Sequence, residues 1–142
     1  FIACPDLQST VKDADVVITC TPIVADPERP IKRSWMKEDV LAISVDYDAA
    51  FESAVMTEGI FVCDNRGQYL WTQEQGVYFQ KGYPTSDMIY ADMGDLCAKT
   101  VEAKRDGLRG AVLMGIASHD VMTANLIYRK AREQEAGTWV SF

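Results

Sequence analysis

Four stretches of the chain are apolar without the polar alternation of a half-solvated strand: Val16 to Thr21, Val40 to Val45, Ile60 to Cys63 and Gly110 to Ala117. Short, largely β-branched runs of this kind suit parallel strands covered on both faces. Periodicity alone leaves the last run open to a buried helical turn, and its glycines favour strand and turn. Between the runs, apolar residues recur at helical spacing. Leu7, Val11 and Ala14 behind Pro5 and Asp6 predict a short helix over 6–14, and Phe51, Ala54 and Val55 predict another over 49–57. Further helices are expected at about 67–75, 86–98 and 119–135, with Gly76 and Gly82 separating the first two. The last has Ser118 as its predicted N-cap, Asp120 in its first turn, a stripe of Val121, Ala124, Ile127, Tyr128 and Ala131, and Gly137 suited to C′. Ser34 to Lys37 suits one helical turn, Asp26 to Pro30 a loop, and Trp139-Val140 the start of a further docking segment.

Buried strands alternating with helices predict an α/β domain with a mainly parallel sheet, in which ligands sit beyond the carboxyl ends of the strands. The polar residues at those ends are therefore the candidates: Thr19 to Pro22, Ser44 to Asp46, and Asp64-Asn65. With 142 residues, 48% hydrophobic and 25% charged, the chain has the size and composition of one compact domain. A net charge of −7 argues against nucleic acid and anionic membranes as partners. No apolar run is long enough to span a bilayer, and the first residues lack the features of a signal peptide, so a soluble, cytoplasmic protein is expected. The chain lacks an initiating Met, and Phe1-Ile2-Ala3 reads as the middle of a strand, so a fragment is expected.

Cys4, Cys20, Cys63 and Cys97 form no C-x-x-C pair, and a single His accompanies them, so no metal site is expected. The cysteines are read as small buried residues in a reducing compartment, Cys20 included, since no neighbouring base would activate it. His119 reads as a partly exposed first-turn residue, and Asp64 and Asp95 as structural. Trp35, Trp71, Tyr69, Tyr78, Tyr83 and Tyr90 read as gap fillers between elements. No glycine-rich phosphate-binding turn occurs in the chain.

The order of motifs resembles the ornithine cyclodeaminase/mu-crystallin family over nearly the whole chain. The family's A-D-V-V-x-T-x-T-P is similar to Ala14 to Pro22. Its W-(L/V)-K-x-G-x-x-(I/V)-x-x-(V/I)-G-(S/A)-D resembles Trp35 to Asp46. V-x-D-x-x-x-Q resembles Val62 to Gln68, and A-E-(L/I)-G-(E/D) resembles Ala91 to Asp95. The closing G-(L/I)-A-x-x-D-x-x-x-A-x-x-(I/V)-Y-x-x-A resembles Gly115, Ile116, Ala117, Asp120, Ala124, Tyr128 and Ala131.

The resemblance implies the later part of an NAD(P)-binding, Rossmann-like three-layer domain, incomplete at its N-terminus, in a larger two-domain homodimer acting on an amino or imino acid. Hydride transfer at the α-carbon is the implied chemistry, with a non-catalytic, crystallin-like ligand-binding role as the alternative. It places Thr19, Cys20, Thr21, Pro22, Ser44 and Met114 beside NAD or NADP. It aligns Asp46 with the family's catalytic aspartate, whose pKa partial burial would raise into a useful range; without the resemblance, Asp46 also reads as a turn cap. The substrate-carboxylate residues belong to the part not represented, so the fragment alone is expected to be inactive. Val45 replaces the family's glycine before the aspartate, and Val112 and Leu113 replace its polar residue and serine near the nicotinamide, which implies a divergent subfamily.

Overall fold

The computed structural model describes residues 2–140. Of the segment read as mid-strand, Phe1 lies outside the described residues, and Ile2 and Ala3 carry no strand. Five strands, β1 (Val16–Thr19), β2 (Val40–Ser44), β3 (Ile60–Cys63), β4 (Ile89–Asp92) and β5 (Leu108–Val112), form one sheet in the order β1-β2-β5-β3-β4. Every pairing is parallel. The helices are α1 (Leu7–Val11), α2 (Ser53–Thr57), α3 (Arg66–Glu74), α4 (Met93–Ala98) and α5 (Ala117–Glu133), with 3-10 turns at Arg33–Trp35 and Ser86–Met88.

One sheet face, carrying Val17, Val40, Ala42, Phe61, Cys63, Ile89 and Val112, is buried. There α2 and α3 pack against it: Met56 of α2 closes on Gly110, and the Tyr69 ring of α3 lies 5.3 Å from that of Phe61. On the other face, Met93 and Leu96 of α4 share a 280 Å³ apolar cavity with Leu41, Ile43, Ile60 and Val62. The result is a three-layer, Rossmann-like α/β domain. The second layer is thin. Val16 and Ile18 remain 50% and 59% exposed, so the expectation that β1 is covered on both faces does not hold.

Several expectations change in the structure. The predicted helix over 86–98 splits into a 3-10 turn, β4 and α4, because Asp92 caps α4 in a reciprocal box with Asp95 and releases Ile89–Asp92 to the sheet. The helix over 49–57 contracts to α2, since Ile31 and Phe51 pair as an isolated bridge first. At α5, Ser118 lies inside the helix behind an N-cap, Ile116, that makes no side-chain bond. The residue taking the left-handed conformation nearest its end is Glu135 (φ 52), with Gly137 further along. The apolar stripe of α5 is exposed apart from the half-buried Ala131, as are Trp139 and Val140, and the exposed Trp71 does not fill a gap between elements as expected.

Gly59 shows how tightly α2 feeds β3 beside β5. A methyl group there would lie 2.1 Å from the Leu108 carbonyl oxygen, and backbone in mid-sheet cannot give way cheaply. Gly59→Ala is expected to cost about 3 kcal/mol, read as a lowered urea midpoint; an unchanged midpoint would contradict this packing.

Candidate functional site

Parallel pairing delivers the carboxyl ends of all five strands to one rim. Hydrogen bonds continue the ladder past the strand ends: Val45 N–H to Thr19 O (3.0 Å), Leu113 N–H to Ser44 O (2.9 Å) and Asp64 N–H to Val112 O (3.2 Å). The loops after β1, β2, β5 and β3 are therefore stitched into one surface.

Asp46 sits at the β1–β2 end of this rim and is 2% exposed. Its Oδ1 accepts from the Thr19 hydroxyl (2.6 Å) and the Ser44 hydroxyl (2.7 Å). Its Oδ2 accepts from the Thr21 backbone N–H (2.9 Å) and the Thr21 hydroxyl (2.6 Å). Ser44 also contacts the Tyr47 carbonyl, so its one proton lies between two acceptors. Burial works to raise the Asp46 pKa, but the bonds from Thr19, Thr21 and Ser44 outweigh it and hold the carboxyl below the ordinary carboxylate value. The expected upward shift is thus reversed. Near neutral pH this group is a fixed negative charge, and the Thr19 and Thr21 hydroxyls, donating inward, keep their oxygen lone pairs for other partners.

Of the other predicted site residues, Cys20, Thr21 and Pro22 are exposed beside this network, Ser44 is buried within it, and Met114 is half-buried after β5. Val45 stands partly exposed between Ser44 and Asp46. Cys20 departs from the buried packing role expected of it, as do Cys4 and Cys97; Cys63 alone is buried. Burial, then the charges of Asp64 and Asp92, push the Cys63 thiol up to about 12.

A second polar cluster lies beyond β5. Asp64 accepts from the Asn65 N–H (2.9 Å) and the Gly115 N–H (2.6 Å), tying the end of β3 to the loop after β5. The chain turns from β3 into α3 on one face and from β4 into α4 on the other. Such a reversal opens a crevice between neighbouring strands. Here the cavity is 490 Å³ and is lined by Asp64, Asp92, Met93, Leu113, Gly115 and His119. His119 is an exposed first-turn residue, as read from the sequence. The crevice was not foreseen because reading 86–98 as one helix removed β4 and with it the reversal. Among the described residues, no group of three or more His, Cys, Asp or Glu side chains is placed to hold a metal ion.

Sequence reasoning also passed over Arg29 and Asp48, a buried ion pair with Nη2–Oδ2 at 2.5 Å. Neither lies in a recognisable motif, so only the three-dimensional pairing reveals them.

These features define a Rossmann-like α/β domain with its polar chemistry on the carboxyl rim. No protein-family model matches the chain. It is 26% identical over 147 residues to N-((2S)-2-amino-2-carboxyethyl)-L-glutamate dehydrogenase of Staphylococcus aureus, covering 97% of this chain and 41% of that protein. It is also 26% identical over 144 residues to an uncharacterised cyclodeaminase of Sinorhizobium fredii, covering 96% of this chain and 42% of that one. The chain thus spans about two fifths of the length of these relatives. Among solved structures, it matches a Thermococcus litoralis Δ1-pyrroline-2-carboxylate reductase in complex with NADH and L-proline (TM-score 0.72, 23% identity, 94% of this chain and 42% of that). It also matches an archaeal alanine dehydrogenase dimer with bound NAD (TM-score 0.71, 18% identity, 95% and 43%). With a cyclodeaminase and an amino-acid dehydrogenase as its relatives, the resemblance to the ornithine cyclodeaminase/mu-crystallin family stands.

Asp46→Asn replaces an acceptor oxygen by an amide that donates toward donors, and is expected to cost about 3 kcal/mol at pH 7. A carboxyl titrating lower in the folded than in the unfolded chain adds stability above the ordinary value of 3.8 and loses it as pH falls through the lower folded value. Urea midpoints measured downward through that window should therefore fall more steeply for the wild type than for D46N; parallel curves would contradict the assignment.

Proposed function

We propose that this chain is the later part of the NAD(P)-binding domain of an amino- or imino-acid oxidoreductase or cyclodeaminase, and that the whole protein is a homodimer. The Thr19–Thr21–Ser44–Asp46 network is the observation that carries this reading. It leaves the exposed Thr21 and the chain at Cys20 to Pro22 on the rim, which would suit the polar edge of a nicotinamide ribose or carboxamide. Thr19, Cys20, Thr21, Pro22, Ser44 and Met114 would line the nicotinamide half of NAD or NADP. The pyrophosphate cradle would come from protein outside these residues, in keeping with the greater length of the relatives.

The bound nicotinamide would exchange a hydride with the α-carbon of the substrate. On the protein's side, Asp46 would act as a fixed charge that favours the cationic imine formed when an amino acid loses hydride, with its hydroxyl shell keeping it ionised. An alternative, a ligand-binding protein without turnover, is favoured by one feature: Val112 and Leu113 leave the centre of the rim without a polar side chain.

The exposed Cys20 offers a direct test in the whole protein. Saturating NAD(P)H is expected to slow Cys20 alkylation at least about tenfold, leaving exposed Cys4 as the reactive control and Cys63 inert; equal rates with and without the nucleotide would overturn cofactor binding at this rim. Nicotinamide absorbance during incubation with amino acids and cyclic imines separates the enzyme from the binding protein.

A further inference from the structure

Asp46, Tyr47 and Asp48 are consecutive, and the two carboxylates grip opposite ends of one loop. Thr21, at the start of residues 21–29, is bonded to Asp46 through its N–H and hydroxyl. Arg29, at the end, gives Nη2 to Asp48 Oδ2 (2.5 Å) and Nε to the Asp48 carbonyl (3.1 Å). In between, Asp26 pairs with Lys81. The guanidinium also reaches the carbonyls of Gln80 (2.8 Å) and Lys81 (3.2 Å) and lies 4.4 Å from the centre of the Tyr83 ring. Asp48 Oδ2 accepts in addition from the Phe79 N–H (2.9 Å).

This arrangement is conformationally expensive. Arg29 (φ 51), Tyr47 (φ 60), Phe79 (φ 58) and Lys81 (φ 56), four of the six described non-glycine residues with positive φ, belong to this ion pair, bond to it or adjoin it in the chain. Asp48 Oδ1 is buried without a partner. A buried ion pair seldom exceeds a well-packed apolar pair in stability, so strain and an orphaned oxygen gathered here point to geometry as what the pair secures. The loop it tensions follows directly from Thr21 and presents Ile23 and Val24, 47% and 44% exposed.

We propose that Arg29 and Asp48 are positioning residues that hold loop 21–29 taut against the 46–48 turn, so that Thr21 stays on Asp46 and Ile23 and Val24 form an apolar wall beside the cofactor rim. The cofactor part of this inference rests on the function proposed above; the loop part does not. The test compares the whole wild-type protein with Arg29→Met, Asp48→Leu and the double variant. Each single change strands one buried charge or its partners and lowers the thermal midpoint, whereas the double change recovers most of that loss. The recovered double variant is nevertheless expected to be cut by thermolysin within residues 22–28 at least about tenfold faster, and to bind NAD(P)H at least about tenfold more weakly. A double variant that is stable, resists thermolysin and binds like the wild type overturns the proposal. Arg29→Lys keeps the charge without the fork that reaches three carbonyls, and covers the case in which the double variant does not fold: faster loop cleavage at near-normal stability supports the proposal, and wild-type cleavage and affinity overturn it. Wild-type protein that binds no NAD(P)H removes the functional reading, while cleavage still reports on the loop.

Discussion

The carboxylate of Asp46 is the constraint on which the rest of the rim depends. An ionised group that is 2% exposed persists only when its oxygens are bonded, and here four donors from three residues converge on it. Those donors belong to β1, the loop after it and the end of β2, so one charge fixes the relative height of two strands and the loop between them. Hydrogen bonds to a charged group are worth on the order of 1.5–3 kcal/mol each, and a donor left without its acceptor costs comparably. The loops around Asp46 are thereby held by these bonds, in a part of the molecule where parallel strands give no hairpins to restrain them.

The sheet order then divides the rim. β5 enters between β2 and β3, and its end carries Val112 and Leu113, so an apolar stretch separates the Asp46 cluster from the Asp64–Asp92 crevice. The ladder bonds from Leu113 to Ser44 and from Asp64 to Val112 cross this divide through backbone alone. Two polar regions are therefore held in rigid register without sharing a side chain.

Much of this was legible in the sequence. Uniform apolar runs marked β1, β2 and β3, and their polar termini marked the rim, because side-chain period and strand ends follow from local chemistry. β4 was not legible: Ile89–Asp92 is short, and Met88, Ile89, Met93 and Leu96 mimic a helical stripe until Asp92 is recognised as a cap. Uniform apolarity also overstated the cover of β1, since it reports what a strand can bury rather than what lies over it. Arg29 and Asp48 were invisible for another reason. They are 19 residues apart, outside any periodic element, and meet where Ile31 and Phe51 bridge the two loops.

The direction of the Asp46 shift was the least accessible property, and it alters the chemistry most. Burial and hydrogen bonding act in opposite senses on a carboxyl, and a sequence announces only the first. Thr19, Thr21 and Ser44 look like ordinary β-formers until all three hydroxyls turn toward the same acid. Once they do, a proton on Asp46 would break the bonds that organise the rim, so the group is better suited to supplying constant negative potential than to cycling between acid and base. Under the function proposed above, cation stabilisation would need no such cycling, since a preorganised fixed charge lowers the energy of a developing iminium without reorganising. Under that same proposed function, a proton leaving the substrate nitrogen would have to pass to a group other than Asp46.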